Sequence, residues 1–481
     1  MTNKITNDAW ISLVVLSSIA LLTMYGETML LPALPSLVKV FEIPYNTSSW
    51  ILTAYLITGA VMTPVVGKFS DVYGKKKVLL IIMAVYIIGT LVGGISINIA
   101  LVIMARIIQG IGLAMFPVAF GIIRQKFPEE KLAIGQGIFT AVFSAGAIIG
   151  LGLGATIVEN VGWRMTFLSV VPFAIFLFFI IIKYIHVYSE KRSLKIKDVN
   201  MDVKGTIILI VMISSFLVGL TLLPNFVLGS DNNYLTLIVS LFAISSGMLP
   251  LFILFEKHVK SPLIDFHLLK DPILFPSNIL IMTIGILIFI IYQSLPIMIQ
   301  SPKPIGFGGD PIEAANIQIP FMVLSFVIAV SSGFLVSKIG NIKPTIFGCL
   351  TSTAGFILLL ICHSTEILIS FDLAIIAIGL SLLEISSFNI VMMSTSINQS
   401  GASLGISMLL FLVGMSVGPA ISGIYLQTFQ SAIKGFNGTF PSAFSYDMIF
   451  LTSVLISVFS IMLTLIITKK LLQRITLDSQ Y

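Results

Sequence analysis

The chain has 481 residues, of which 57% are hydrophobic and only 10% charged, with 35 Phe and 20 Met. A mean hydropathy of +1.06 excludes a soluble globular protein and points to an all-α polytopic membrane protein. The net charge of +6 and pI near 9.1 would suit a nucleic-acid binder, but the placement of the basic residues described below argues against one.

Crossing the hydrocarbon core takes about 20 mostly apolar residues as helix, because every backbone polar group must be satisfied within its own segment. Fourteen such stretches are predicted, at 10–31, 48–67, 78–98, 101–124, 133–157, 165–185, 205–224, 234–255, 274–300, 317–337, 344–363, 371–396, 402–427 and 448–468. The first is full length, contains Glu27 and precedes no small-residue cleavage site, so it reads as a retained helix. With the N-terminus placed in the cytoplasm, four of the 27 Lys and Arg fall in outer loops (Lys39, Arg164, Lys303, Lys434) and Arg106 falls inside a helix. All the others lie on the inner side, the asymmetry that the positive-inside rule demands. Both termini are therefore expected in the cytoplasm of a multi-pass protein of the cell membrane.

Between the second and third spans, Gly67–Lys77 reads GKFSDVYGKKK, five charged residues between two apolar runs. Its lysines suit anionic headgroups at an inner loop. Its glycines suit a sharp turn and close helix approach, and Asp71 suits a helix N-terminus. Gly67, Gly74 and Lys77 recur at one constant offset as Gly333, Gly340 and Lys343, and Gly146 and Gly150 recur as Gly414 and Gly418. The chain thus reads as two related six-helix halves: 1–190, then two inserted helices and basic linkers at 191–272, then 273–481. Duplicated halves are a common plan for secondary transporters.

Several stretches resemble the major facilitator superfamily. Gly67-Lys-Phe-Ser-Asp71-Val-Tyr-Gly74-Lys75-Lys76-Lys77 is similar to its G-x-x-x-D-x-x-G-R/K-R/K signature, and Arg106-Ile-Ile-Gln109-Gly110-Ile-Gly112 to its R-x-x-Q-G-x-G signature. Trp163-Arg164 with Phe167 and Pro172 resembles the entry into helix 6. PALP at Pro32–Pro35, followed by Trp50 and Tyr55, resembles the fourteen-helix drug/proton antiporter branch. The resemblance implies the major facilitator fold, two six-helix bundles with pseudo-twofold symmetry plus two inserted helices. It also implies that the 67–77 loop, with Gly67, Asp71, Gly74, Lys75 and Lys76, makes gating contacts that break as the halves rock. The helix 5 motif departs from the family pattern: Gly146, Gly150 and Gly154 are kept, but Leu151 stands for proline and Ala155 for the last glycine. The proline form occurs instead at Gly414-Met-Ser-Val-Gly418-Pro419 in helix 13. In helix 1 the branch often carries an acid where this chain has Gly26, next to Glu27.

Glu27, Arg106 and Glu384 are the ionisable groups read as lying inside spans. Each costs at least about 2.5–3.5 kcal/mol at a helix centre unless it finds a partner or a cavity. Glu27 and Arg106 fall at similar depth, so a Glu27–Arg106 pair is expected, either functional or a static pin between helices. Glu384 has no cation at its depth. That makes it a candidate to carry protons or meet a cationic substrate, the alternative being a silent carboxyl bonded to Ser381 or Ser386. Gln109, Gln136, Gln293 and Asn389 are candidate cavity polar groups or interhelical bonds, and Tyr25, Tyr55, Phe116, Tyr292 and Phe388 are candidate pocket aromatics. The glycines at four-residue spacing in helices 5 and 13, with Pro419, form a close-packing motif.

The expected function is a secondary active transporter, proton-coupled, exporting lipophilic or cationic small molecules by alternating access. The alternative is a facilitator or symporter for a small metabolite, and behind it a non-transporting membrane sensor. An enzyme is not expected: no nucleophile–base pair, nucleotide loop or metal-ligand spacing occurs, so no cofactor and no metal are anticipated. The expected partners are a small-molecule substrate, protons and the lipid bilayer, with no nucleic acid, and the chain is expected to be a monomer. Cys349 and Cys362 lie on one predicted helix roughly 20 Å apart, too far to bridge. Asn46-Thr-Ser48 and Asn437-Gly-Thr439 fit N-glycosylation spacing in outer loops.

Overall fold

The computed structural model describes residues 5–128, 131–186, 203–228, 232–259, 270–395, 400–433 and 438–478. Among these residues, 14 helices are long and apolar enough to cross a membrane. They match the predicted spans one for one. The first is α1, Asn7–Thr28, opened by Thr6, whose side chain accepts from the Ala9 amide. A short helix α2, Leu34–Phe41, follows where the sequence suggested only a loop. Next come α3, Tyr45–Tyr73, and α4, Lys75–Gly94. The fourth span is two helices, α5 (Ile99–Gly110) and α6 (Met115–Lys126), joined by a 3-10 turn at Ile111–Ala114. It is followed by α7, Leu132–Val161, and α8, Arg164–Tyr184. The inserted pair is α9, Val203–Leu228, and α10, Asn232–His258.

The remaining spans are α11 (Leu274–Gln300), α12 (Pro311–Ile339), α13 (Ile342–Ile361), α14 (Glu366–Met393), α15 (Ser400–Thr428) and α16 (Ala443–Asp478). Before α16, a hairpin pairs β1 (Gln430–Ala432) with β2 (Thr439–Pro441) in antiparallel register, Ser431 opposite Phe440.

Residues cluster into two compact units. One comprises Met1–Ala33, Trp50–Gly219 and Thr236–Ile264; the other comprises Leu34–Ser49, Leu220–Leu235 and Asp265–Tyr481. Each is built to the same plan. In the first, α1 packs on α7 and α8, and α4 on α5 and α8; in the second, α11 packs on α15 and α16, and α13 on α14 and α16. The short α2 packs on α11 in the second unit through its buried Leu34 and Leu37. In the first unit, α9 and α10 meet through Phe216 and Phe242, ring centroids 5.9 Å apart, and through the Ser245 hydroxyl, which donates to the Met212 carbonyl at 3.0 Å.

Large apolar side chains remain exposed along these helices. Phe173, Phe176 and Phe179 repeat every three residues on the outer face of α8, and Leu235, Leu237, Val239 and Leu254 are exposed along α10. Such faces are stable only against acyl chains, which places the chain in a bilayer.

The motif loop is tighter than its sequence suggested. Gly67 lies inside α3, which continues to Tyr73, and the turn to α4 is made by Gly74 alone. Continuing the helix keeps the backbone of Gly67–Tyr73 hydrogen-bonded up to the membrane boundary. Gly74 then reverses the chain at φ +94°, a value that L side chains disfavour. Gly340, at φ +74°, makes the equivalent turn between α12 and α13.

Candidate functional site

Arg106 stands two turns into α5, a helix that Asn98 opens by accepting from the Leu101 amide at 2.9 Å. Its guanidinium has five N–H donors and no acceptor, so burial requires a shell of oxygens. That shell comes from three helices. Nε donates to the Ile51 carbonyl at 2.8 Å, Nη1 to the Gly26 carbonyl at 2.8 Å and to Gln109 Oε1 at 2.8 Å, and Nη2 to Glu27 Oε2. The Tyr55 ring lies beneath the guanidinium carbon at 4.2 Å. Glu27 and Arg106 are both fully withdrawn from solvent and form an ion pair.

The surrounding hydrogen bonds hold this arrangement in register. Gln109 Nε2 donates to Thr90 Oγ1 at 3.1 Å, the Tyr55 hydroxyl to the Thr23 carbonyl at 2.8 Å, and the Tyr86 hydroxyl to the Leu22 carbonyl at 3.0 Å. Polar groups from α1, α3, α4 and α5 thus form one network. Glu27 Oε1 is buried within it and has no hydrogen-bond partner among the described residues.

The network explains two features of the sequence. A Cβ at Gly26 would collide with the Tyr86 hydroxyl, so with this tyrosine in place the acid of α1 sits one residue later, at Glu27. A Cβ at Gly110 would collide with the Tyr55 carbonyl oxygen, so glycine there lets α5 lie directly on α3 and brings Arg106 within reach of Ile51.

The motif loop is fastened to the rest of the first unit. Lys76 Nζ donates to the Ile182 carbonyl at 2.7 Å, capping the C-terminal end of α8, where exposed carbonyls and the helix dipole favour a cation. The Lys75 stem lies over Gly121 of α6, and Gly67 faces Pro117. The N-cap of α4 is Gly74, which has no side chain to cap with. The side chains of Asp71 and Gln136 lie outside the described residues, as do the side chain of Asn46 and all of Asn437.

The packing glycines act within each unit. Gly146, Gly150 and Gly154 bring α7 against the carbonyls of Leu21, Tyr25 and Met29, and the Thr28 hydroxyl donates across to the Ala147 carbonyl at 3.1 Å. Gly414 and Gly418 bring α15 against the carbonyls of Met282 and Ile286 on α11. Pro419 lies inside α15, whereas Leu151 and Ala155, which replace the family's proline and glycine, are buried in an uninterrupted α7.

In the second unit, Glu384 lies midway along α14, partly buried, and forms no hydrogen bond or ion pair among the described residues. The alternative of a carboxyl bonded to Ser386 is not realised: that hydroxyl donates to the Leu382 carbonyl at 2.6 Å. Tyr292 of α11 lies within electrostatic reach of Glu384 and packs edge-on against Phe289 and Phe321, at 5.3 and 5.9 Å. One turn beyond Glu384, Phe388 meets Phe411 of α15 at 6.1 Å, and Asn389 stands beside it, partly buried. Gln293, next to Tyr292, is fully buried.

Two candidate pocket aromatics belong to packed interior. Phe116 is surrounded by Phe120, Phe139 and Phe143, the last at 4.7 Å, a core cluster that leaves it 2% exposed. Tyr25 is buried with its hydroxyl 3.4 Å from Ser169 Oγ.

Sequence reasoning missed Asp372, His363 and Asp447. The predicted span began at 371, which left Asp372 at the boundary; α14 in fact begins at Glu366 behind Thr365, which accepts from the Leu368 amide. Asp372 is therefore in the second turn, only 2% exposed. The signal was Thr365-Glu366, an N-cap followed by a first-turn acid. Also missed was the Ser407 hydroxyl donating to Asn278 Oδ1 at 2.6 Å between α15 and α11.

The profile of the Major Facilitator Superfamily matches residues 16–419. Multidrug resistance protein 3 of Bacillus subtilis is 29% identical over 296 residues, 61% of this chain and 55% of that protein, so the match spans about half of that relative's length. The tetracenomycin C resistance and export protein of Streptomyces glaucescens is 23% identical over 87% of this chain and 76% of its own. In fold, the chain is similar to the crystal structure of the human organic anion transporter MFSD10 (TETRAN), with a TM-score of 0.65 at 14% identity, covering 95% of this chain and 99% of the other. With fourteen apolar helices in two units of one plan and a family match over most of its length, the chain belongs to the major facilitator superfamily of membrane transporters.

Proposed function

We propose that this transporter exports lipophilic or cationic small molecules in exchange for protons, by alternating access, in the cell membrane with both termini cytoplasmic. The observation that carries this reading is Glu384, a carboxyl without ion-pair or hydrogen-bond partner among the described residues, within electrostatic reach of Tyr292 and one turn from Phe388 on α14. An acid in that setting can take up and release a proton, and its aromatic neighbours can stack on a flat or cationic substrate. The Glu27–Arg106 network supplies the first unit with a second acid whose free oxygen, Oε1, is open to a proton. Resistance and export functions in the names of related proteins support the same direction of transport.

The unbroken α7, with Leu151 buried where the antiporter pattern has proline, favours a second reading as a facilitator or symporter for a small metabolite. The working unit in either reading is a monomer exchanging small solutes across lipid.

Reconstitution in liposomes with an imposed pH gradient, using tetraphenylphosphonium as probe, separates the two. Proton movement triggered by the cation, and cation movement driven by the gradient, is the expected result. Transport of the cation that ignores the gradient would leave only facilitation, and no transport would overturn the lipophilic-cation reading.

A further inference from the structure

The outer side of the first unit carries a feature that the proposed transport chemistry does not use. There α4 and α8 pack antiparallel along their whole lengths. At one end Lys76 Nζ donates to the Ile182 carbonyl at 2.7 Å. At the other, Gly93 and Gly94 lie against the side chains of Phe167 and Leu168, and Arg164 Nε donates to the Ser96 carbonyl at 3.1 Å. These contacts fix which side of each helix meets its neighbour. An α-helix turns by about 100° per residue. Lys77 therefore stands one such step past the contact made by Lys76, and Lys183 one step past that made by Ile182. In an antiparallel pair of right-handed helices, both steps lead to the same side of the pair.

That side is open. On α4, Ile81 and Ile88 continue the stripe that begins at Lys77; on α8, Phe176 and Phe179 lead to Lys183. All four apolar side chains are exposed, as is Ile182, and so are both lysines. The two stripes thus form a furrow, apolar along its length and basic at one end. Contact with acyl chains accounts for the apolar part. It does not account for two ammonium groups set across the end. Lys77 forms no hydrogen bond or ion pair among the described residues. Lys183 Nζ lies 5.2 Å from the centre of the Tyr184 ring, a contact that leaves its three N–H donors to other partners. No Asp or Glu occurs in 72–80 or 178–186 to balance them.

We propose that this furrow seats one membrane phospholipid with an anionic phosphodiester headgroup. The phosphate lies between Lys77 and Lys183, and an acyl chain lies along Ile81, Ile88, Phe176 and Phe179. Charge complementarity selects the headgroup, because a zwitterionic lipid brings its own cation to the two lysines. The furrow selects a lipid over a free phosphate, which has no chain to place on the exposed phenyl rings. Lysine suits the rim, since its stem can follow apolar surface while the ammonium stays at headgroup level. With the termini cytoplasmic the site faces the inner leaflet. Binding itself depends on neither the cargo nor the direction of transport.

Native mass spectrometry of the full-length, delipidated protein in detergent tests it, using phosphatidylglycerol and phosphatidylcholine with identical chains and inorganic phosphate as competitor. A lysine beside anionic headgroups is worth about fivefold in affinity, so two should give the wild type about a 25-fold preference for one phosphatidylglycerol. K77Q and K183Q should each lower that preference about fivefold, and K77Q/K183Q should bind the two lipids alike. K257Q removes an exposed lysine from the last turn of α10 and should leave the preference intact. F176A/F179A should weaken both lipids and keep their ratio. All these side chains are exposed, so every variant should unfold at the wild-type temperature without lipid, and a loss then reports binding. A wild type without preference, or a preference kept in K77Q/K183Q or lost equally in K257Q, would overturn the proposal. So would lipid affinities unchanged in F176A/F179A. Displacement of phosphatidylglycerol by inorganic phosphate at equal concentration would make this an anion site and overturn the lipid assignment.

Discussion

Arg106 donates to Glu27 across α5 and α1 with both side chains fully buried, while three further oxygens, from Ile51, Gly26 and Gln109, complete the guanidinium's shell. Removing one member of a buried pair leaves an uncompensated charge and costs about 3–5 kcal/mol. R106A should lower stability by that order in thermal unfolding of the detergent-solubilised protein. R106K should recover little, because a point ammonium cannot reach all four oxygens as the planar fork does. The double variant E27Q/R106Q should lose less than the sum of E27Q and R106Q, the signature of direct coupling.

Glu384 has the opposite character, an acid left without a partner among the described residues. Removing its charge should spare the fold and remove the coupling. E384Q is expected to unfold no earlier than the wild type and to carry tetraphenylphosphonium at a rate that no longer follows the pH gradient; E384D should retain the gradient response. Gradient-driven accumulation persisting in E384Q would take this residue out of the proton path.

The close approach of helices within each unit predicts which glycines tolerate a methyl group. G110A and G414A place a Cβ against a backbone carbonyl, of Tyr55 and Met282 respectively, and should each cost about 1–3 kcal/mol as overpacking. G152A meets open space on the same α7 that carries the packing glycines, so it should be neutral or stabilise by about 0.5–1 kcal/mol. Thermal unfolding of the three variants side by side gives the comparison.

Lys76 and Lys77 are adjacent and chemically alike, but only Lys76 is placed on the end of α8, through the Ile182 carbonyl. K76M should therefore cost about 0.3–1 kcal/mol, the range for a cation at a helix C-terminus, whereas K77M, at an exposed position, should cost less. Equal losses would mean that the two lysines act only as surface charge.

Orientation is open to the native cysteines. Cys349 is buried in α13 and Cys362 is part-exposed just beyond its end. A membrane-impermeant maleimide applied to intact cells should modify Cys362 and spare Cys349, with C362S unlabelled. Labelling that appears only after permeabilisation would reverse the proposed topology.

The span count was legible in the sequence because the bilayer imposes it locally: a stretch of about 20 apolar residues must be helix. The meeting of Glu27 with Arg106 was legible as depth, since both fall near one boundary. The shell that makes the pair tolerable was not, because the carbonyls of Gly26 and Ile51 belong to helices brought together only by packing. Gly67 and Gly74 look alike in the motif, but only the backbone shows that one lies within a helix and the other makes the turn. Asp372 and His363 fell at the edges of hydropathy windows, where a shift of one helical turn decides between solvent and burial. What converges on a side chain is a matter of three-dimensional distance: the Leu359 carbonyl lies only four residues before His363, but the tertiary fold alone brought Asp447 of α16 to 3.4 Å from its ring.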